Sequence, residues 1–196
     1  MTGVDSSPQM LERARRELPE VEWVETDAGT WEAADPIDVI FANAVFHWLP
    51  EHERIFPRLL RMLRPGGVLA VQMPRNYEEP SHRLMRETPG PWLPAVTAVR
   101  ALTPVCPPAF YYDVLAPHAS RVDLWQTTYE HVMDDAAAIV EWVRGTGLRP
   151  YLDALPDAMR DDYLAAYTAA VDAAYPQRVG GKRLFSFPRL FFVAMR

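Results

Sequence analysis

Three observations predict an α/β fold built on a parallel sheet. Near-continuous apolar runs, Val39–Ala42 and Val68–Met73, read as strands buried on both faces, which belong in parallel sheets. Helical patterns separate such runs, giving the order strand, helix, strand, link, strand, helix, strand. Single polar residues, Asp5, Asp27 and Asn43, close three successive strands. In open α/β sheets, ligands bind beyond these carboxyl ends.

The elements follow in order. Thr2–Val4 reads as the end of a strand. Ser7 suits a helix N-cap and Pro8 the first helical position. Met10, Leu11, Ala14 and Leu18 then share one helical face, and Glu12, Arg13, Arg16 and Glu17 the other. Val21–Thr26 is a second strand, ending at Asp27. Asp35–Pro36 turns the chain into the strand that begins at Asp38 and ends at Asn43. Phe46, His47 and Trp48 come next. Pro50 opens a helix in which Ile55, Leu59, Met62 and Leu63 recur at helical spacing, with Pro57 expected to mark a break or a fresh start. Arg64–Pro65–Gly66–Gly67 stops it, and the strand to Met73 follows.

The pattern loosens after Pro74. A helix is expected over Ser81–Glu87, and residues 89–110 carry six prolines with little periodicity. Phe110–Leu115 fits a helical turn. Arg121–Tyr129 alternates and is rich in β-formers, so a strand is expected. Asp134 or Asp135 caps a helix to Arg144, Leu148–Leu152 links, Asp157–Tyr175 forms an alanine-rich helix, and Leu184–Met195 is the last strand. The chain is read as a single domain over 1–196, with 74–120 and 134–176 as helical cap insertions.

Hydrophobic residues make up 49% and charged residues 23%, as in ordinary globular chains, and the net charge is −6. That acidity argues against a nucleic-acid partner, which needs a basic face. Cys106 is the only cysteine, so no intramolecular disulfide forms and no Cys-based zinc site exists. The histidines show no ligand spacing, so no metal is expected. No apolar run approaches a membrane span and no leader pattern opens the chain, so a cytoplasmic location and no membrane partner are expected.

An acid at a strand end suits a ribose diol, because a carboxylate accepts from both hydroxyls. Asp27 with the Ala28 amide can meet an adenine edge. The arrangement resembles the class I S-adenosylmethionine-dependent methyltransferases. The strings Asp5–Met10, Ile40–Ala44, Trp48–Pro50, Gly67–Pro74, Gly147–Pro150 and Phe187–Phe191 extend the likeness over essentially the whole chain. Within that family they are similar to the branch that methylates trans-aconitate. The resemblance implies S-adenosyl-L-methionine as cofactor, held by Asp5, Ser6, Asp27, Ala28 and Asn43. It also implies a family first strand and a loop of the form Asp-x-Gly-x-Gly-x-Gly upstream of Asp5, and neither is in this sequence. The expected sheet is therefore an incomplete Rossmann-like one. The strands ending at Asp5 and Asn43 lack a partner between them, which favours self-association through that gap.

The resemblance further implies methyl transfer to a carboxylate of trans-aconitate or a similar small polycarboxylate. A carboxylate is already anionic at neutral pH, so alignment suffices and no general base is needed. His47 and Trp48 are the weak candidates for any catalytic role, and Trp48 could shield the sulfonium. Trp48, Tyr111, Tyr112, Arg149 and Arg189, with Arg86 behind them, are expected at the acceptor, since arginine meets carboxylates bidentately. The competing reading is a truncated, catalytically silent methyltransferase-like fragment or interaction protein.

Overall fold

The computed structural model describes residues 1–99 and 105–196. The chain runs through β1 (Thr2–Asp5), α1 (Pro8–Glu17), β2 (Glu22–Glu25), β3 (Ile37–Asn43), α2 (His52–Met62), β4 (Leu63–Pro74) and α3 (Pro80–Glu87). It continues with α4 (Leu93–Ala98), α5 (Pro108–Leu115), β5 (Arg121–Met133), α6 (Ala136–Arg144), α7 (Arg149–Asp153), α8 (Asp157–Ala174) and β6 (Arg183–Met195). These form two compact units. The first comprises Met1–Val71, Pro107–Leu124 and Phe192–Arg196, the second Gln72–Cys106 and Trp125–Phe191. Strands β4, β5 and β6 contribute residues to both.

The expected incomplete sheet is in two parts, β1–β2 and β3–β4–β6–β5, with no strand pairing β1 to β3 among the described residues. In the first unit β1 and β2 are parallel, with Thr2 opposite Glu22 and Asp5 opposite Glu25. A Cβ on Gly3 would fall inside the Trp23 ring. Glycine is what lets the indole lie across β1 while its Nε1 donates to the Leu18 carbonyl at 3.1 Å. In β4, Gly67 lies against the Asp38 carbonyl of the neighbouring β3. The Arg196 N–H donates to the Gly67 carbonyl at 3.0 Å and the Gly66 N–H to the Arg196 carbonyl at 2.9 Å, so β6 runs against β4. The helix-to-strand turn falls at Met62–Leu63, earlier than the expected Arg64–Gly67 stop, and Gly66, at φ 79°, lies within β4.

Helix α2 buries Ile55, Phe56, Leu59 and Leu60. Phe56 is the hub: its ring meets Phe46, His52, Tyr111 and Phe192 at centroid distances of 5.0–5.8 Å. Pro57 does not break the helix as expected; it is itself buried within it. The ring forgoes one backbone bond, and the buried apolar face offsets that loss.

The second unit is packed around α8. Tyr163, Tyr167 and Val171 recur every four residues, share one face and are fully buried. Tyr163 donates to the Met85 carbonyl at 2.8 Å, Tyr167 to the Ser81 carbonyl, and the Ser81 N–H donates to the Tyr175 hydroxyl at 3.1 Å. These bonds latch α3 and satisfy phenols that burial would otherwise penalise. Ile139, Val140 and Val143 of α6 complete this core.

The expectation that β3 is buried on both faces is corrected. Val39 is 55% and Phe41 74% exposed. Strand β3 is an edge of its sheet, and its free flank faces a cleft of about 920 Å3 lined by Thr2, Gly3 and Val4 of β1 and by Val39 and Phe41. Arg149–Asp153, expected as a link, is a helix, and α4 falls in the proline-rich stretch. Part of that stretch, 100–104, lies outside the described residues. Among the described residues no helix is long and apolar enough to cross a membrane.

Candidate functional site

Asp5 and Asp27 stand at the same edge of the β1–β2 pair, where the Thr26 N–H donates to the Asp5 carbonyl at 3.1 Å. Each acid is held by its own loop. Asp5 Oδ1 accepts the Ser7 N–H at 2.8 Å, and Ser7 Oγ accepts the Met10 N–H at 3.4 Å, capping α1 as the Ser7–Pro8 pair implies. Asp27 Oδ1 accepts the Gly29 N–H at 2.6 Å. The second oxygen of each carboxylate has no hydrogen bond among the described residues, so it can accept from a ligand. Ser6 and Asp27 are exposed, and Ala28 is half-buried.

The Asp27 loop is positioned from outside. Arg58 of α2 donates through Nη2 to the carbonyls of Ala28 at 3.1 Å and Gly29 at 2.7 Å, and through Nη1 to that of Trp31. Sequence reading gave Arg58 no role. In the sequence it is one more polar residue of an amphipathic helix.

Asn43 ends β3, exposed. Ala44 follows at φ 55° and Glu51 at φ 61°, both left-handed without being glycine. Each such residue costs roughly 1–2 kcal/mol, and strain of this kind gathers at functional loops. Between them Phe46–Trp48 forms a single tight turn. The Phe46 carbonyl, which can only accept, is 2.8 Å from His52 Nε2. His52 therefore carries its proton there and accepts the Tyr111 hydroxyl at Nδ1, 2.9 Å away. Burial holds the His52 pKa below its ordinary value, against the smaller effects of the Phe46 carbonyl and Glu53. Trp48 is half-exposed and its ring stands 4.6 Å from that of His47.

The residues expected at the acceptor are divided between the units. Tyr111 is a correction: it is fully buried, with its hydroxyl on His52, and stacks on Phe192 at 5.7 Å. It packs the core of the first unit. Tyr112, its neighbour on α5, is exposed. Arg149 lies on the surface, 3.6 Å from Asp153 one helical turn on. Arg86 is likewise spent, on Glu78 at 2.9 Å, on the Tyr77 carbonyl, and over the Tyr77 ring. Arg189 donates to Gln72 Oε1 at 3.1 Å and lies over the Phe187 and Tyr129 rings. Among the described residues no group of three or more His, Cys, Asp or Glu side chains could hold a metal ion.

A family model described as a methyltransferase domain matches residues 1–71. The trans-aconitate 2-methyltransferase of Azoarcus sp. strain BH72 is 64% identical over 196 residues, covering 100% of this chain and 78% of that protein. The chain belongs to the trans-aconitate 2-methyltransferase family. The expected resemblance is thus met, and with it, at the level of the family, a methyltransferase that uses S-adenosylmethionine. Solved structures agree on the fold. The YcgJ protein from Bacillus subtilis aligns with a TM-score of 0.59 at 12% identity, covering 100% of this chain and 81% of its own. Haemonchus contortus phosphoethanolamine N-methyltransferase 2, solved with S-adenosyl-L-methionine, gives 0.53 at 16% identity, covering 98% of this chain and 42% of its own.

Proposed function

We propose that this chain esterifies a carboxylate of trans-aconitate, or of a similar small polycarboxylate, using S-adenosylmethionine. The observation that carries the reading is the 64% identity to the Azoarcus enzyme across all 196 residues. The strand-end residues fit the cofactor chemically. Asp5 and Asp27 each keep one carboxylate oxygen available, as a ribose diol or an exocyclic amine requires, and Asn43 offers both a donor and an acceptor. When bound, S-adenosylmethionine supplies an electrophilic methyl group to a carboxylate oxygen and departs as the neutral thioether.

The chain's own residues bind and orient. The Ser7 and Gly29 amides fix the two acids, Arg58 fixes the loop that carries Ala28, and the Ala44–Glu51 turn fixes Asn43 and Trp48. No residue has to remove a proton, because the acceptor is ionised at neutral pH. Positioning at near-attack distance and exclusion of water are the levers left to the protein. Self-association along the open flank of β3 belongs to the same proposal, supported by the exposure of Val39 and Phe41; light scattering that shows only monomer would remove it. A cytoplasmic location suits a water-soluble acceptor, and cell fractionation checks it.

The test is binding and turnover by the full chain. Saturable binding of S-adenosylmethionine, followed by a methyl ester on trans-aconitate, supports the reading. Failure to bind cofactor leaves the silent-fragment alternative.

A further inference from the structure

We propose that a cavity in the second unit, bounded by Arg75, Gln126 and Thr128, is an anion subsite that takes one carboxylate of the polycarboxylate acceptor. This rests on the proposed function above, which needs cationic groups for the acceptor, and it assigns one to a residue that sequence reading passed over. The cavity measures about 330 Å3, within the range of small-molecule sites, and Tyr77, Glu78, Glu79 and Pro188 are among the other residues of its wall.

Its place in the fold is that of a ligand site. Arg75 is the first residue past the carboxyl end of β4. Its backbone is fixed across the sheet by an N–H bond to the Pro188 carbonyl at 2.9 Å. The side chain is fixed too, with Nη1 donating to Gln126 Oε1 at 3.2 Å. Strand β5 supplies both Gln126 and, two residues on along the same face, Thr128.

The charge of Arg75 is unanswered. Among the described residues no carboxylate pairs with it, and its Nε is buried with no hydrogen-bond partner. Arg86, Arg160 and Arg183 of this unit pair with Glu78, Asp157 and Asp172, whereas Arg189, like Arg75, meets no carboxylate and is spent on Gln72 and two aromatic rings. Glu78 is thereby spent. Glu79 is no counter-ion either: it forms no ion pair, and its carboxyl is held above its ordinary pKa, first by burial and then by Glu130. A half-buried cation with unspent donors is unfavourable alone and is completed by an anion. The guanidinium fork matches a carboxylate. The Thr128 hydroxyl, without a hydrogen bond among the described residues, adds a neutral donor from β5.

The experiment is calorimetric titration of trans-aconitate into the full chain, wild type against R75Q, R75K and T128V, with melting curves to establish folding. R75Q is expected to weaken trans-aconitate at least about tenfold, R75K to restore part of that, and T128V to weaken it a fewfold. S-adenosylmethionine affinity stays unchanged in all three. In turnover, R75Q raises the KM for trans-aconitate and leaves that for the cofactor. Wild-type affinity in R75Q overturns the subsite, as does a wild-type chain that binds no trans-aconitate. If R75Q does not fold, T128V decides by the same comparison. A wild type that binds trans-aconitate through Arg75 but makes no ester keeps the subsite and rejects the methyl-transfer reading.

Discussion

In the first unit the polar groups suited to binding stand at strand ends, each tied down by one local bond: Asp5 to Ser7, Asp27 to Gly29. In the second, the phenols of Tyr163 and Tyr167 on α8 and of Tyr175 just past its end are buried and spent on α3. The first arrangement leaves acceptors available for a ligand and relies on short strands, a strained turn and Arg58 to hold them. The second satisfies those phenols inside the core and leaves none of them for a ligand. The comparison teaches where each unit can afford change: loops that carry ligand groups are held by few contacts, and cores by many.

The largest effect is expected where the second unit is tightest. Replacing Tyr167 by Ala removes a fully buried ring stacked on Tyr163 and its hydrogen bond to the Ser81 carbonyl. A loss of about 3–5 kcal/mol is expected in chemical denaturation, as for other large aromatic-to-alanine changes. A loss under about 1 kcal/mol would show that α8 does not anchor that unit.

Arg58→Ala probes the first unit. It removes a charged clamp from three carbonyls, and bonds to charged groups contribute roughly 1.5–3 kcal/mol each at most. Because the loop is held in few other ways, cofactor affinity should fall about tenfold or more while the chain stays folded. Unchanged affinity would mean that the Asp27 loop needs no support from α2.

The smallest effect separates the units by pH. His52 has its pKa lowered by burial, so its contribution is complete above about 6.5 and is lost as pH falls below that value, where the unfolded chain gains the proton first. Tyr163, Tyr167 and Tyr175 have theirs raised by burial, so their contribution is complete below about 10 and is lost as pH rises beyond it. Denaturation followed against pH should show an acid limb that His52→Asn reduces and an alkaline limb that it leaves alone. An acid limb untouched by that substitution would detach it from the first unit.

Much of this was legible in the sequence because it is local. Ser7–Pro8 starts α1 and Asp135 caps α6 by accepting the Ala138 N–H at 2.7 Å, since each choice depends on residues within one turn. The strand-end positions of Asp5, Asp27 and Asn43 follow equally from local pattern. What was not legible depends on distant partners. Tyr111 looks like a loop aromatic until His52, 59 residues away in sequence, takes its hydroxyl. Arg149 looks like a substrate arginine until a helix places Asp153 beside it. Arg75 gained attention only when neighbouring strands left it without a counter-charge. Val39 and Phe41 read as buried because apolar runs usually are, yet burial is set by what lies beside the strand, and here that is a cleft.

The central claim is methyl transfer to a carboxylate, with cofactor held at the strand ends of the first unit. Its most direct test follows the methyl group of isotopically labelled S-adenosylmethionine, incubated with the full chain and trans-aconitate. The expected result is label in a base-labile methyl ester, formed by wild type and strongly reduced in Asp27→Ala. Label that stays on the cofactor although both ligands bind, or an ester formed equally well by Asp27→Ala, would contradict the account.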